Sequence, residues 1–260
     1  MARLIAARRT AVVPRGGAFA RLRIEDLAVP VVLACLADAG MSVDQVDELI
    51  LSNALGAGGN PARRVALAAG LPETVAGLTT DRQCAGGLDA ILLAKALVDS
   101  GAADVVLAGG VESFSRRPLR FATDPDGGPP KAYDQAPFTP WPDRDPDMTA
   151  AADALASRLE ISRARQEAWA MESHAKSVRI EHWPEIVPVA GMGRDAFPRN
   201  LTPGLLARAK VLHGSVTTAT AVVAADGAAF CLVISDRVAA GRGLALLNGA
   251  TLGGNPEEPG

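Results

Sequence analysis

The chain is short of aromatic residues, histidine and cysteine. Only 4% of its 260 residues are Phe, Trp or Tyr, with a single tyrosine at 133. Three cysteines, Cys35, Cys84 and Cys231, cannot make a disulfide framework, and none stands in a C-x-x-C pair. Three histidines, His174, His182 and His213, form no cluster with metal-ligand spacing, so no metal is expected. No apolar run approaches the length needed to cross a bilayer, and no membrane span is expected. An excess of one charge is also missing. The 26 basic and 29 acidic residues leave a net charge of -3, which gives no electrostatic reason to expect nucleic acid or an anionic membrane. Six arginines and no acid precede Glu25, as in a transit peptide, but no serine occurs before Ser42. That composition favours a cytoplasmic protein over an imported one.

What is present describes an ordinary globular protein. Hydrophobic residues make up 48% and charged residues 21%, and the length can bury a substantial core in one large domain or two small ones. "RLIAA" (3–7) reads as a strand. "IEDLAVPVVLACLADAG" (24–40) reads as a helix interrupted early by Pro30 and closed by Gly40. "DELILSNAL" (47–55) is a strand, and Asn60 then caps a helix with Pro61 at its first position and Gly70 as its stop. A helix over 87–101 follows. "ADVVLAGG" (103–110) has the two-face-apolar composition of a central parallel strand. Strands alternating with helices predict an α/β layer covered on both faces, with its site at the carboxyl edge of the sheet.

Composition changes at residue 115. Eight of the 18 prolines fall between Pro118 and Pro146, which predicts an irregular excursion. Helical segments at 148–160 and 162–181 follow, the second led by Ser162 as N-cap. Regular patterning resumes with strands at 226–236 and 243–251. The expected organisation is therefore a first α/β part over 1–114, an inserted loop domain with helices over 115–225, and closing strands over 226–260.

One stretch draws attention to chemistry. "TTDRQCAGGLDA" (79–90) sets Cys84 between an extended polar approach and a glycine pair that opens an apolar helix. Unpaired backbone N–H groups and the positive helix end would stabilise negative charge there, including a developing oxyanion. By spacing alone, Cys84 is either such a nucleophile or a buried thiol in a tight strand-to-helix corner. Cys35 and Cys231, with apolar neighbours, read as core. "LGAGGNPARR" lacks both the third glycine of a dinucleotide loop and a G-K-[ST] ending, so it reads as a turn into the Asn60 cap. Glu112 reads as a partner for turn amides ahead of a catalytic carboxylate. His213 reads as an exposed loop histidine, and the charged face of 162–181 as a solvated surface.

Beyond that, "QCAGGLDAILLAKALVDSGAADVVLAGGVES" resembles the nucleophile helix and following strand of the thiolases, patterned Q-C-x-S-G-x-x-A and then G-x-A-D-V-V-x-A-G-G-x-E-S. "ARRTAVVPRGGAF" is similar to that family's A-x-R-T-P-x-G-x-F, and "GNPARRVALAAGLPETV" to its Q-N-P-A-R-Q-A-A-L-A-A-G-L-P. "ISRARQEAWAMESHAKSV" resembles I-S-R-E-x-Q-D-x-F-A-x-x-S-x-x-K-A, and "VTTATAVVAADGAA" aligns without gaps on V-T-A-G-N-A-S-G-x-N-D-G-A-A. The resemblance implies a thiolase-like layered fold, with one mixed sheet, helices on both faces and a long loop-domain insertion. It also implies an acyltransferase that forms or cleaves a carbon–carbon bond between acyl-CoA units through an acyl-cysteine at Cys84. Ping-pong kinetics would follow. Coenzyme A would enter as part of the substrate, with no separate cofactor.

The departures from the pattern are specific. Asp147 stands where a histidine usually precedes M-G-T-T-A-E, followed by Met148. Thr220 replaces the Asn and Val222 the Ser of G-N-A-S, the latter a position that helps hold the pantetheine arm in the family. Gly86 replaces the usual serine beside the nucleophile, and Lys210 is the candidate for charge near the CoA phosphates. The family's second half, with its N-E-A-F, G-H-P and C-x-G motifs, has no counterpart in the chain. The resemblance therefore implies a homo-oligomer or a complex with a chain supplying that half. It leaves acyl-CoA or an acyl-carrier-protein thioester as substrate, in lipid metabolism, with a catalytically silent binding or scaffold subunit as the alternative.

Overall fold

The computed structural model describes residues 1–56 and 58–258. Ala57 of the glycine-rich turn and the last two residues of the closing segment lie outside them. Along the chain the elements are β1 (Ala2–Arg9), β2 (Val13–Pro14), α1 (Ile24–Ala39), β3 (Glu48–Ser52), α2 (Pro61–Ala68), β4 (Leu78–Thr80), α3 (Gly86–Asp99) and β5 (Val105–Ser113). There follow β6 (Arg120–Ala122), β7 (Lys131–Tyr133), α4 (Met148–Arg158), α5 (Arg163–Arg179), α6 (Pro203–Ala207), β8 (Val211–His213) and β9 (Val216–Thr217). The last are β10 (Ala225–Ser235), α7 (Asp236–Ala239) and β11 (Leu244–Ala245). They divide into two units. The first holds residues 1–118, 182–197 and 224–251, and the second holds 119–181, 198–223 and the remainder.

The first unit is built on a mixed sheet in the order β11-β1-β10-β5-β3-β4, with β2 also on β10. β3 runs parallel to β4 and β5, whereas β10 is antiparallel to both β5 and β1. Strand alternation sorts side chains to opposite faces. Leu49, Leu51, Leu107, Phe230, Leu232 and Ile234 pack with α1 and α2, while Ile50, Val106, Ala108 and Val233 pack with α3. Each such burial contributes about 1.5–3 kcal/mol for a Val, Leu, Ile or Phe side chain. Helices thus cover both faces, and 103–110 is parallel on only one of its two sides.

Several local signals shape this unit as the sequence predicts. Asn60 caps α2, its side chain accepting from Arg63 N at 3.3 Å, with Pro61 opening the helix. Gly40 ends α1 in the left-handed conformation at φ 67°. Pro30 does not interrupt α1, which runs unbroken from 24 to 39. The one hydrogen bond lost there is outweighed by the burial of Leu27, Val31, Val32, Cys35 and Leu36. The strand expected over 243–251 shrinks to Leu244–Ala245 paired with β1, because the glycine- and asparagine-containing run beyond lacks an alternating apolar face.

The domain boundaries also differ from the sequence expectation. Residues 182–197, inside the stretch read as an insertion, stay with the sheet. Val187 N donates to Arg9 O at 2.8 Å and Arg9 N to Glu185 O at 3.0 Å, continuing the backbone pairing at the end of β1. The Arg9 guanidinium binds Asp195 at 2.8 Å and lies over the Trp183 ring at 5.4 Å. The second unit holds α4, α5, α6 and two small hairpins, and Ala170 and Met171 of α5 pack against a cluster of Leu201, Leu206 and Ala219. Ser162 caps α5, and Asp153 accepts both Ser215 N and Ser215 Oγ at 2.7 Å. Glu257 and Glu258, read with the closing strands, belong to this unit, bound to Arg144 and Arg158 at 2.7 Å. No helix of the described residues is long and apolar enough to cross a membrane.

Two glycines in the first unit test this packing. At Gly77, φ is +77° and a Cβ would lie 2.6 Å from Arg63 N and 2.9 Å from Arg63 Cα, both backbone. At Gly40 the backbone is equally left-handed, with nothing within 4 Å. Gly40→Ala is expected to cost about 1–2 kcal/mol from conformation alone, and Gly77→Ala about 3 kcal/mol or more. Urea unfolding measures both, and equal losses would contradict the close approach of Gly77 to α2.

Candidate active site around Cys84

The three parallel strands β4, β3 and β5 end on the same edge of the sheet. β4 leads into a single 3-10 turn, Gln83–Ala85, and directly into α3. The turn is tight: Gln83 is left-handed at φ 46°, and its N–H donates to Asp81 Oδ1 at 2.9 Å. Ala85 N donates to Arg82 O at 3.1 Å. Arg82 also pairs with Asp89, a carboxylate buried in the first turn of α3. These contacts tie the turn to the helix and leave Cys84 as an exposed free thiol, one residue before the α3 N-cap. The N-terminal end of α3, where the Gly86 N–H donates to Gln83 O, is the local source of positive potential. The buried-thiol reading therefore does not describe Cys84.

The other two cysteines are built differently. Cys35 is fully buried in α1, and its thiol donates to Phe230 O at 3.3 Å. Burial, with a smaller contribution from nearby Cys231, pushes its pKa up to about 12. Cys231 on β10 is half-buried, and burial raises its thiol too.

Cys84 opens on a cavity of about 370 Å³. Its walls come from the end of β3 (Ser52), the end of β5 (Gly110–Glu112), the start of α3 (Gly87), Thr10, Val12 and the start of β10 (Ala225–Ala229). Most wall polar groups are already engaged. The Thr10 hydroxyl donates to Ala11 O at 2.8 Å and accepts from Ala228 N at 3.0 Å. Asp226 accepts from Ser115 N at 2.8 Å and Ser115 Oγ at 2.6 Å. Glu112 accepts from Ala54 N, from Leu55 N at 3.2 Å and from Asn53 Nδ2 at 3.1 Å, the turn-amide role read from the sequence. A second cavity of about 370 Å³ shares Arg9, Gly87, Gly110 and Ala229 with the first and continues to Ile91, Phe230 and Cys231. None of the residues lining the Cys84 cavity is a histidine or a second cysteine. Among the described residues no group of three His, Cys, Asp or Glu could hold a metal ion.

Of the remaining sequence candidates, Gly86 belongs to the same unit as Cys84 and opens α3 two residues after it. The others belong to the second unit. Asp147 is the N-cap of α4, accepting from Thr149 N at 2.8 Å and Ala150 N at 3.3 Å. Hydrogen bonds from the Thr149 hydroxyl and amide hold its carboxyl below the usual range. Met148 opens that helix and is exposed. Lys210 is exposed, and its carbonyl accepts from Thr218 N at 2.9 Å. Thr220 Oγ1 accepts from Thr217 N at 3.0 Å and so serves its own turn, while Val222 is 87% exposed. Ser52 and Asn53, which line the site or brace it, carry no sequence signal beyond their place at the end of an apolar strand.

Comparison with known proteins shows what the chain is similar to. The family described as "Thiolase, N-terminal domain" matches residues 2–237. Two relatives carry the name "Putative acetyl-CoA C-acetyltransferase". YhfS of Bacillus subtilis (strain 168) is 38% identical over 93% of this chain and 65% of its own length. VraB of Staphylococcus aureus (strain COL) is 31% identical over 99% of this chain and 72% of its own. The chain therefore spans about two thirds of the length of these relatives. The crystal structure of the Bacillus anthracis acetyl-CoA acetyltransferase superposes with a TM-score of 0.84 at 31% identity, covering 94% of this chain and 68% of that one.

The three thiols should separate by reactivity. Iodoacetamide on the native protein near neutral pH should alkylate Cys84 first, with Cys35 untouched until denaturant is added. Peptide mass mapping reads the order, and early modification of Cys35 would contradict its burial.

Proposed function

The chain belongs to the thiolase family, and on that footing we propose that it is an acyltransferase of thiolase type whose nucleophile is Cys84. One observation carries the reading: an exposed thiol at the start of α3 faces a cavity at the carboxyl ends of three parallel strands. In the first half-reaction the Cys84 sulfur attacks a thioester carbonyl. The carbonyl electrons move onto oxygen, stabilised by the Cys84 N–H and the helix end, and return as the carrier thiolate leaves. The carrier takes up the proton, and the acyl group stays on Cys84. In the second, a base removes the α-proton of another acyl thioester. The resulting carbanion attacks the acyl-Cys84 carbonyl, a carbon–carbon bond forms and the Cys84 thiolate is released. Thiolytic cleavage runs the same steps backwards.

The base is the part these residues do not provide, since no histidine or second cysteine lines the cavity. In this proposal it comes from a second α/β half, in the same polypeptide or in a partner chain. That half would cover the trough formed by the two adjoining cavities. Coenzyme A is the carrier named for the relatives. The exposed Val222, where the family pattern has a serine, leaves an acyl-carrier-protein thioester as the alternative carrier. A second reading, a catalytically silent binding or scaffold subunit, is favoured by the same lack of a base near Cys84.

Incubation with acetyl-CoA, alone and with a candidate partner half, separates these readings. Intact mass should show one acetyl adduct that disappears in Cys84→Ala and is discharged by added free CoA. An adduct with carrier-protein thioesters alone would identify that carrier. If no adduct forms with an authentic partner present, and the partner's activity survives Cys84→Ala, the chain is a silent subunit.

A further inference from the structure

Residue 86 opens α3 two positions after Cys84, and the family pattern has a serine there. This chain has glycine, and the space is already filled. A Cβ built on Gly86 would lie 2.0 Å from Ser52 Oγ and 3.0 Å from Ser52 Cβ. The first distance is far inside contact, and the second, between the two β-carbons, is not relieved by rotating the hydroxyl. On its other side, a Cβ on Gly110 would stand 3.4 Å from Ser52 Cβ and 3.1 Å from Ser52 O. Ser52 therefore lies between the start of the nucleophile helix and β5, and a side chain at residue 86 would need Ser52 to move from its place.

Ser52 is buried, yet it lines the same cavity as Cys84. The nearby polar groups are committed elsewhere: Thr10 to Ala11 and Ala228, Asp226 to Ser115, Glu112 to the turn amides of 54 and 55. Among the described residues no hydrogen bond to the Ser52 hydroxyl is found. A short, uncommitted hydroxyl in the wall of the cavity that Cys84 also lines is placed to hydrogen-bond a group held by that cysteine.

We propose that Ser52 and Gly86 form an exclusive pair, in which Ser52 supplies from β3 the pocket hydroxyl that the family pattern carries at the helix start and acts as a positioning residue for the group bound to Cys84. The positioning role deepens the acyl-transfer reading, whereas the exclusivity of the pair stands without it. The hydroxyl is fixed to the central sheet rather than to the first turn of a helix, so it stays in place if that turn shifts.

The test uses Ser52→Ala, Gly86→Ser and the double exchange S52G/G86S in the full chain, read by thermal unfolding and by the pH profile of Cys84 alkylation with iodoacetamide. Gly86→Ser should lower the melting temperature by about 5 °C, as expected for overpacking in a chain of this size. The double exchange should recover most of that loss. Ser52→Ala should keep the parental melting temperature but slow Cys84 alkylation by about threefold with an altered pH profile, the size expected for one lost hydrogen bond. The double exchange should recover part of the rate. A parental melting temperature in Gly86→Ser, or a double variant no better than its components combined, would overturn the exclusive pair. Alkylation of Ser52→Ala at the parental rate at every pH would overturn the positioning role. Alkylation needs neither CoA nor a second half. Failure to form an acetyl adduct while these results hold would count against acyl transfer and not against the pair.

Discussion

The close approach of the first turn of α3 to the ends of β3 and β5 sets the geometry of the Cys84 cavity. A helix lies this near a sheet only where the facing residues are small. Residue 86 has no room for a Cβ because Ser52 occupies it, and a Cβ on Gly109 would stand 2.1 Å from Ala229 O and 2.7 Å from Phe230 Cα. The glycine pair of β5 thus serves two contacts at once, its tight pairing with β10 and the floor beneath α3. These small residues give up packing area at the sheet edge. In return, the N-terminal end of α3 is brought to the cavity, with Gly87 in its wall.

That edge is held by carboxylates acting as acceptors. Glu112 gathers the amides of Ala54 and Leu55, so the chain leaving β3 is clamped to the end of β5. Asp226 gathers the Ser115 amide and hydroxyl, and that hydroxyl in turn accepts from Gly16 N at 2.9 Å. Segments more than a hundred residues apart in sequence meet in this second network. Hydrogen bonds to a charged acceptor contribute about 1.5–3 kcal/mol each, more than neutral ones. Carboxylates bound in this way are poor candidates for moving protons, because releasing them would undo the loops they hold.

Legibility in the sequence followed the range of the interactions. The Asn60–Pro61 start of α2, the Gly40 end of α1 and the Ser162 cap of α5 are local in sequence and could be read there. The α3 start and the central strand carried a motif as well as a period. Harder to read were features whose cause lies far along the chain. Residues 182–197 join the sheet through backbone bonds to Arg9 and a guanidinium–carboxylate pair with Asp195, neither of which leaves a periodic trace. Pro30 looked like a break because propensity is local, whereas the burial that overrides it is not. Ser52 was invisible for the same reason. Its importance comes from a glycine 34 positions later, and only the packing of β3 against α3 makes the two a unit.

The exposed thiol and the engaged wall groups together give the site a definite chemical asymmetry. On the proposed reading it has a nucleophile in Cys84, a helix end beside it and, in Ser52, a hydroxyl with no hydrogen bond among the described residues, while its carboxylates are committed to the fold. Such a set can accept an acyl group and stabilise the oxyanion formed on the way, but it offers no acceptor for a carbon-bound proton. The cavity also stays open along Gly87, Ala229 and Arg9 toward Cys231. A surface that closed this trough would do two things in one step. It would bring the missing base and exclude the water that screens the helix-end amides, strengthening the electrostatics at Cys84. On the proposed reading, assembly and activity would be coupled through a single surface, because the residues that complete the chemistry would also be those that dry the site in which it occurs.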